Sequence, residues 1–301
     1  MRRVKILVLL GLGVWVAGAL LLWFAQSRHD QLPLDLDTGY PPGQQFQPGE
    51  IFASTVIAVM DHELHDGFGW RPNDFFLWGP TLWADDNANR QLGILQAVRE
   101  SMRVFKDHLT KVSSNEYDPD LLEADTLFRN DAKKLWFPSA ESRFSRATVK
   151  LRDYVAGLRD GSQRSRPINT RNVELVRLFQ AWTDLLGDAH ATLYKEQEAD
   201  GSSVWWHTDD YFYHAQGYAH VMDALLQALK REYHQLLSVK PVMQDLFDEA
   251  SAALHEAALM NPLVILNGSP SGLFANHRRN LDVYIIEARQ KMYSIREELE
   301  K

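Results

Sequence analysis

Ile6 to Phe24 is a run of 19 residues without one charged side chain, ILVLLGLGVWVAGALLLWF. As a helix rising about 1.5 Å per residue it would extend about 28 Å, close to the roughly 30 Å hydrocarbon core of a bilayer. Arg2, Arg3 and Lys5 precede it and should stay cytoplasmic. Trp23 and Phe24 fall where an interfacial aromatic belt would lie, while Trp15 is mid-run. Ala25-Gln26-Ser27 offers a small-x-small cleavage site for the rival reading, a secretory signal peptide. The run is longer and bulkier than a signal peptide's apolar region of about 7–15 residues, so an uncleaved anchor is expected.

That anchor divides the charge. Residues 1–30 hold Arg2, Arg3, Lys5 and Arg28 against Asp30, a balance of +3, so the remaining 271 residues carry −11 of the net −8. An acidic body argues against a nucleic-acid partner and against adsorption to anionic lipid, unless a local patch reverses the sign. Cysteine is absent, which excludes disulfides, thiolate metal sites and a cysteine nucleophile. Four of the twelve prolines (Pro33, Pro41, Pro42, Pro48) fall in 28–48, which reads as an extended tether.

Beyond it the apolar periodicity is helical. Leu92, Leu95, Val98, Met102, Phe105, Leu109 and Val112 form one stripe. Further stripes run over Val176–Leu193, Tyr211–Leu236 and Leu281–Leu299, with others at Ile51–His65, Leu121–Trp136, Phe144–Leu158 and Leu246–Met260. Asp85 or Asp86 is placed to cap the first. The expected fold is all-α: a single N-terminal transmembrane helix and a soluble antiparallel bundle of about eight helices. The expected domains are 1–27 (cytoplasmic tip and anchor), 28–48 (tether) and 49–301 (periplasmic helical domain).

The common catalytic templates fail. His62-Glu63-Leu64-His65-Asp66 misses the zincin pattern because position 66 is Asp, and His255-Glu256 misses it because position 259 is Leu. No Glu is followed by His three residues later, which excludes the standard di-iron bundle. Gly268-Ser269-Pro270-Ser271-Gly272 has proline at the nucleophile position of a hydrolase elbow. Three constellations remain. His207, Asp210 and His214 would share a helix face and could bind a divalent metal if the helix begins by Trp205; if Thr208 or Asp209 caps it, they would not. His62 and His65 both lean toward the core if the Ile51 stripe continues. The loop 67–83, GFGWRPNDFFLWGPTLW, is rich in aromatic rings, and Trp205-Trp206 could join it. A partner or ligand surface is expected from Phe68, Trp70, Arg71, Asn73, Asp74, Phe76, Trp78, Trp83, Trp205 and Trp206, because Trp and Arg are favoured at binding hot spots. The alternative is that these rings seal one end of the bundle.

Several segments resemble a known family: Gly69-Trp70-Arg71-Pro72-Asn73-Asp74; Asp86-Asn87 with Asn89 and Gln91-Leu92-Gly93; Trp136-Phe137-Pro138-Ser139-Ala140-Glu141-Ser142; Tyr211-Phe212-Tyr213 with Gly217; and Leu266-Asn267-Gly268 with Ala275-Asn276-His277. Together they are similar to the pattern of an uncharacterised bacterial inner-membrane family, domain-of-unknown-function family 2333. The resemblance implies a single-span envelope protein and supplies no catalytic residues. No cofactor is expected. The expected partners are the bilayer, through Ile6–Phe24, and another envelope protein. The competing reading is an envelope enzyme or a ligand or metal sensor, using a cleft lined by aromatic rings and acids such as Asp74, Asp85, Asp86, Asp209 and Asp210.

Overall fold

The computed structural model describes residues 2–26, 36–41, 44–74, 85–110, 117–168, 172–262, 265–268 and 275–301. All regular elements among them are helical, and the only extended pairings are the isolated bridges Gln197–Ser203 and Asn267–Asn276. α1 spans Arg2–Gln26 and α2 Leu36–Gly39. Eight helices of ten or more residues follow: α3 Glu50–His65, α4 Asp86–Val104, α5 Pro119–Phe128, α6 Ala140–Arg159, α7 Asn172–Tyr194, α8 Thr208–Glu232, α10 Pro241–Leu259 and α11 His277–Glu300. The short α9 covers His234–Ser238.

The stripes face inward where expected. Leu281, Ile285, Ala288, Met292, Ile295 and Leu299 of α11 are all buried, as are Phe179, Trp182, Leu186, Ala189 and Leu193 of α7. α4 ends in a π-helical turn, Phe105–Leu109, which keeps Phe105 and Leu109 in the core; Val112 lies outside the described residues. The Leu121–Trp136 stripe fails after Phe128, where α5 stops. Asn130 and Asp131 break it.

The antiparallel expectation holds for several neighbours and fails for α4 and α8. Ion pairs Glu50–Arg159 and Asp61–Arg152 set α3 against α6 head to tail. Bonds Thr183–Arg289 and His190–Asp282 do the same for α7 and α11. α4 and α8 instead run parallel: Asn89 meets Asp210, Gly93 lies against His214, and Arg90 reaches His220. Both helices shed side-chain bulk at this seam. A Cβ on Gly93 would be driven into the backbone of His214, and one on Gly217 into the Arg90 carbonyl and the Ile94 nitrogen. Nothing in the hydrophobic stripes distinguishes a parallel from an antiparallel neighbour.

Part of the expected 28–48 tether is packed on the domain. Leu36 is buried with Ile51 and Ala228, Tyr40 packs edge-on to Phe46 and its hydroxyl bonds Ser54. Proline-rich sequence is thus compatible with docking when a Leu and two rings find an apolar seat. What joins α1 to the docked segment is 27–35, nine residues outside the described set. α3 starts at Gly49, whose φ of 96° suits glycine, and has no cap of its own. Glu232, at the end of α8, accepts from the amides of Gly49 (3.0 Å), Ile51 (2.8 Å) and Phe52 (3.1 Å) and caps it across the fold.

Among the described residues no helix is long and apolar enough to cross a membrane. In α1 side chains are described only over 5–18, short of the roughly 20 that a span requires; the rest of Ile6–Phe24 lies outside them.

Candidate functional site

Parallel packing of α4 and α8 brings two helix N-termini to one place, and with them four aspartates. Oxygens of Asp85, Asp86 and Asp209 lie within 4.8 Å of one another. Asp210 joins them, accepting from Asn89 Nδ2 through Oδ1 and pairing with His207 Nδ1 at 2.9 Å through Oδ2. Asp85 stands at the cap position of α4 but accepts no capping bond, and its Oδ1 is buried without a hydrogen-bond partner. Burial, followed by the Asp210 and Asp209 charges, pushes the Asp85 carboxyl up to about 7. Burial, then Asp209, Asp85 and Asp210, pushes Asp86 up to about 8. Asp209 is raised as well, by burial and then Asp210. His207 is raised, chiefly by its bond to Asp210. At neutral pH this cluster therefore retains protons, and the positive ends of two helix dipoles favour such charge as it carries. Three clustered carboxylates are also the oxygen-donor chemistry that suits a hard divalent cation.

A buried polar lock lies one turn further into the seam. Arg90 donates to Glu63 Oε2 at 3.0 Å and to Asn87 Oδ1 at 2.8 Å. His220 meets Arg90 at 3.4 Å and Ala258 O at 3.0 Å. Burial, then the Arg90 charge, hold this imidazole neutral, so Nε2 donates to the carbonyl while Nδ1 accepts.

The histidine constellations do not assemble as expected. α8 begins at Thr208, which leaves His207 outside it, and His214 Nε2 turns to the Tyr218 hydroxyl at 3.1 Å. Burial lowers His214 below its ordinary range. His62 is buried and bonds Asp66 at 2.8 Å, whereas His65 points outward.

The aromatic-loop surface needs correction too. Trp70 is 2% exposed; its ring packs edge-on to Phe144 and its Nε1 donates to Ala132 O at 2.9 Å. Arg71 and Asn73 are buried: Arg71 pairs with Asp74, and Asn73 Nδ2 donates to Lys134 O (3.0 Å) and Glu141 Oε2 (2.9 Å). Burial raises the Asp74 carboxyl against the pull of Arg71. Of the expected surface Phe68 is exposed. Phe76, Trp78 and Trp83 lie outside the described residues, as do the side chains of Trp205 and Trp206. These buried polar groups support a different surface. Trp70 and Asn73 hold the α5–α6 connection from beneath, Arg99 holds Phe128 O (2.7 Å) and Asn130 O (2.6 Å), and Ala140 N closes on Lys134 O (3.0 Å). On top of that fixed base, Trp136 is 78% and Phe137 92% exposed, with Leu135 beside them. Three consecutive apolar residues cannot share one helix face, and Pro138 follows at once; that was the available signal.

The chain matches a family of uncharacterized proteins conserved in bacteria, DUF2333, over residues 5–198 and 179–301. It belongs to the DUF2333 family. No curated protein and no solved structure matches this DUF2333 chain. Membership therefore adds no catalytic residue to the geometry, in which Gly93 and Gly217 close the seam and Trp70 and Asn73 support Trp136-Phe137.

Proposed function

We propose that this chain is a single-span inner-membrane protein, N-terminus cytoplasmic, whose helical domain on the periplasmic side binds or scaffolds another component of the cell envelope. One observation carries the reading. α1 is a 25-residue helix whose apolar side chains, Ile6, Leu7, Val8, Leu9, Leu10, Leu12 and Val14 among them, are left uncovered by the rest of the chain. A helix apolar on all sides is covered either by protein or by lipid. Arg2, Arg3 and Lys5, directly before the run, favour a cytoplasmic N-terminus and with it export of the domain.

The test is alkaline carbonate extraction of membranes from cells making the full chain, with Val14→Arg/Val16→Arg as comparison. The expected result is a membrane-bound native chain and a released variant, since each buried arginine costs about 2.5–3.5 kcal/mol at a span's centre. Release of the native chain would refute the anchor. Affinity purification from detergent-solubilised membranes should yield a reproducible envelope component; its absence would leave an anchored domain and refute scaffolding.

A further inference from the structure

We propose that the α5–α6 loop, Lys133-Lys134-Leu135-Trp136-Phe137, is a membrane-contact site that inserts its aromatic tip among the headgroups of an anionic phospholipid surface. The inference rests on the anchored topology above, and three further observations carry it. First, the apolar tip is exposed on a braced base. The backbone beneath it is tied by Trp70 to Ala132 O, by Asn73 to Lys134 O, by Arg99 to Phe128 O and Asn130 O, and by the closure of Ala140 on Lys134. An exposed Trp-Phe pair fixed in this way marks a contact surface.

Second, its charge has the sign that lipid requires. Lys133 and Lys134 are exposed and form no ion pair among the described residues. Lys106, Lys150, Lys195, Lys230, Lys291 and Lys301 have acid partners, whereas Lys240, like the two loop lysines, has none among the described residues. The body as a whole is acidic; at the loop Lys133 and Lys134 outnumber the exposed Asp131, whose Oδ1 accepts from Lys133 N, so the side chains beside Leu, Trp and Phe form a small local reversal. Tryptophan and lysine together are the side chains that settle at a membrane interface, the ring at headgroup depth and the ammonium at the phosphates.

Third, the bilayer is within reach. Segment 36–41 is docked on the domain, so the chain between α1 and the domain is 27–35, nine residues that extend at most about 30 Å. That segment docks at the start of α3. The loop lies at the other end, through Trp70, about 24 Å away along a 16-residue helix. Anchor and loop engage together when α3 and its antiparallel neighbour α6 lie along the membrane surface. A protein partner would bury the same rings but would not require the paired lysines or the short leash.

The test uses the full chain in proteoliposomes. The sequence has no cysteine, so Phe137→Cys and, on α11, Val283→Cys each carry one environment-sensitive NBD fluorophore. The expected result is a blue-shifted position-137 probe, quenched by doxyl lipids in vesicles of phosphatidylethanolamine with phosphatidylglycerol and less so in pure phosphatidylcholine, with the position-283 probe in water in both. Lys133→Glu/Lys134→Glu should weaken the shift roughly tenfold at limiting anionic lipid. Should the protein float with vesicles while the 137 probe stays aqueous, the lipid contact is wrong and the anchor stands; failure to float refutes the anchor. Shielding of the 137 probe in native membrane vesicles but not in pure lipid would overturn the proposal in favour of a protein partner.

Discussion

Two regions of this molecule break the rule of polar outside and apolar inside, in opposite directions. At the head of the α4–α8 seam, Asp85, Asp86, Asp209 and Asp210 are drawn together and partly buried. At the α5–α6 loop, Trp136 and Phe137 stand in solvent. The seam tolerates its acids because two glycines bring parallel helices close, two helix dipoles meet there, and the carboxyls retain protons. The loop is held exposed by buried donors whose own sequence reads as a binding surface. A side chain's chemistry therefore does not say where its work is done: Trp70 is apolar scaffolding, and Trp136, on a segment whose stripe reads as helix, is the exposed ring.

The seam is broken most strongly by Gly217→Ala. Its Cβ has only backbone to displace, so a loss of about 3 kcal/mol in urea unfolding is expected; a loss below about 1 kcal/mol would contradict the close parallel crossing. Next comes pH. The carboxyls of Asp85 and Asp86 titrate near 7 and 8 in the fold and near 4 when unfolded. Between about pH 4 and 8 the folded state thus binds more protons, and stability falls as pH rises. Asp86→Asn should flatten that fall by on the order of 2 kcal/mol between pH 5 and 8.5; an unchanged slope would break the contrast between seam and loop.

Smaller effects sharpen the loop side. Trp70→Phe leaves Ala132 O without its donor, and about 1.5 kcal/mol should be lost, with faster amide exchange confined to the loop it braces. Trp136→Ser/Phe137→Ser should leave stability unchanged within about 0.5 kcal/mol. A large loss there would mean that the rings are structural after all.

Much of this fold is legible in the sequence because burial follows a 3.6-residue period: the α11 stripe is buried from Leu281 to Leu299, and the α7 stripe from Phe179 to Leu193, with Val176 partly buried. The acids could be named but not assembled, because their meeting depends on α8 lying parallel to α4, and helix direction leaves no trace in periodicity. Gly93 and Gly217 were the local sign of a close crossing. The His207, Asp210, His214 arrangement turned on where the helix starts, at Thr208 and not by Trp205. Residues 36–41 read as tether because proline and glycine outweigh one Leu and one Tyr in composition, though those two side chains decide the docking.

The proposed topology has α1 cross the membrane once, with the helical domain on the periplasmic side. Because the chain lacks cysteine, single-cysteine variants report position without background. Spheroplasts making full-length Arg2→Cys or Val283→Cys are treated with a membrane-impermeant maleimide. Labelling of Val283→Cys in intact spheroplasts, with Arg2→Cys labelled only after lysis, is the expected result. Val283→Cys protected until lysis, or both variants labelled intact, would contradict it.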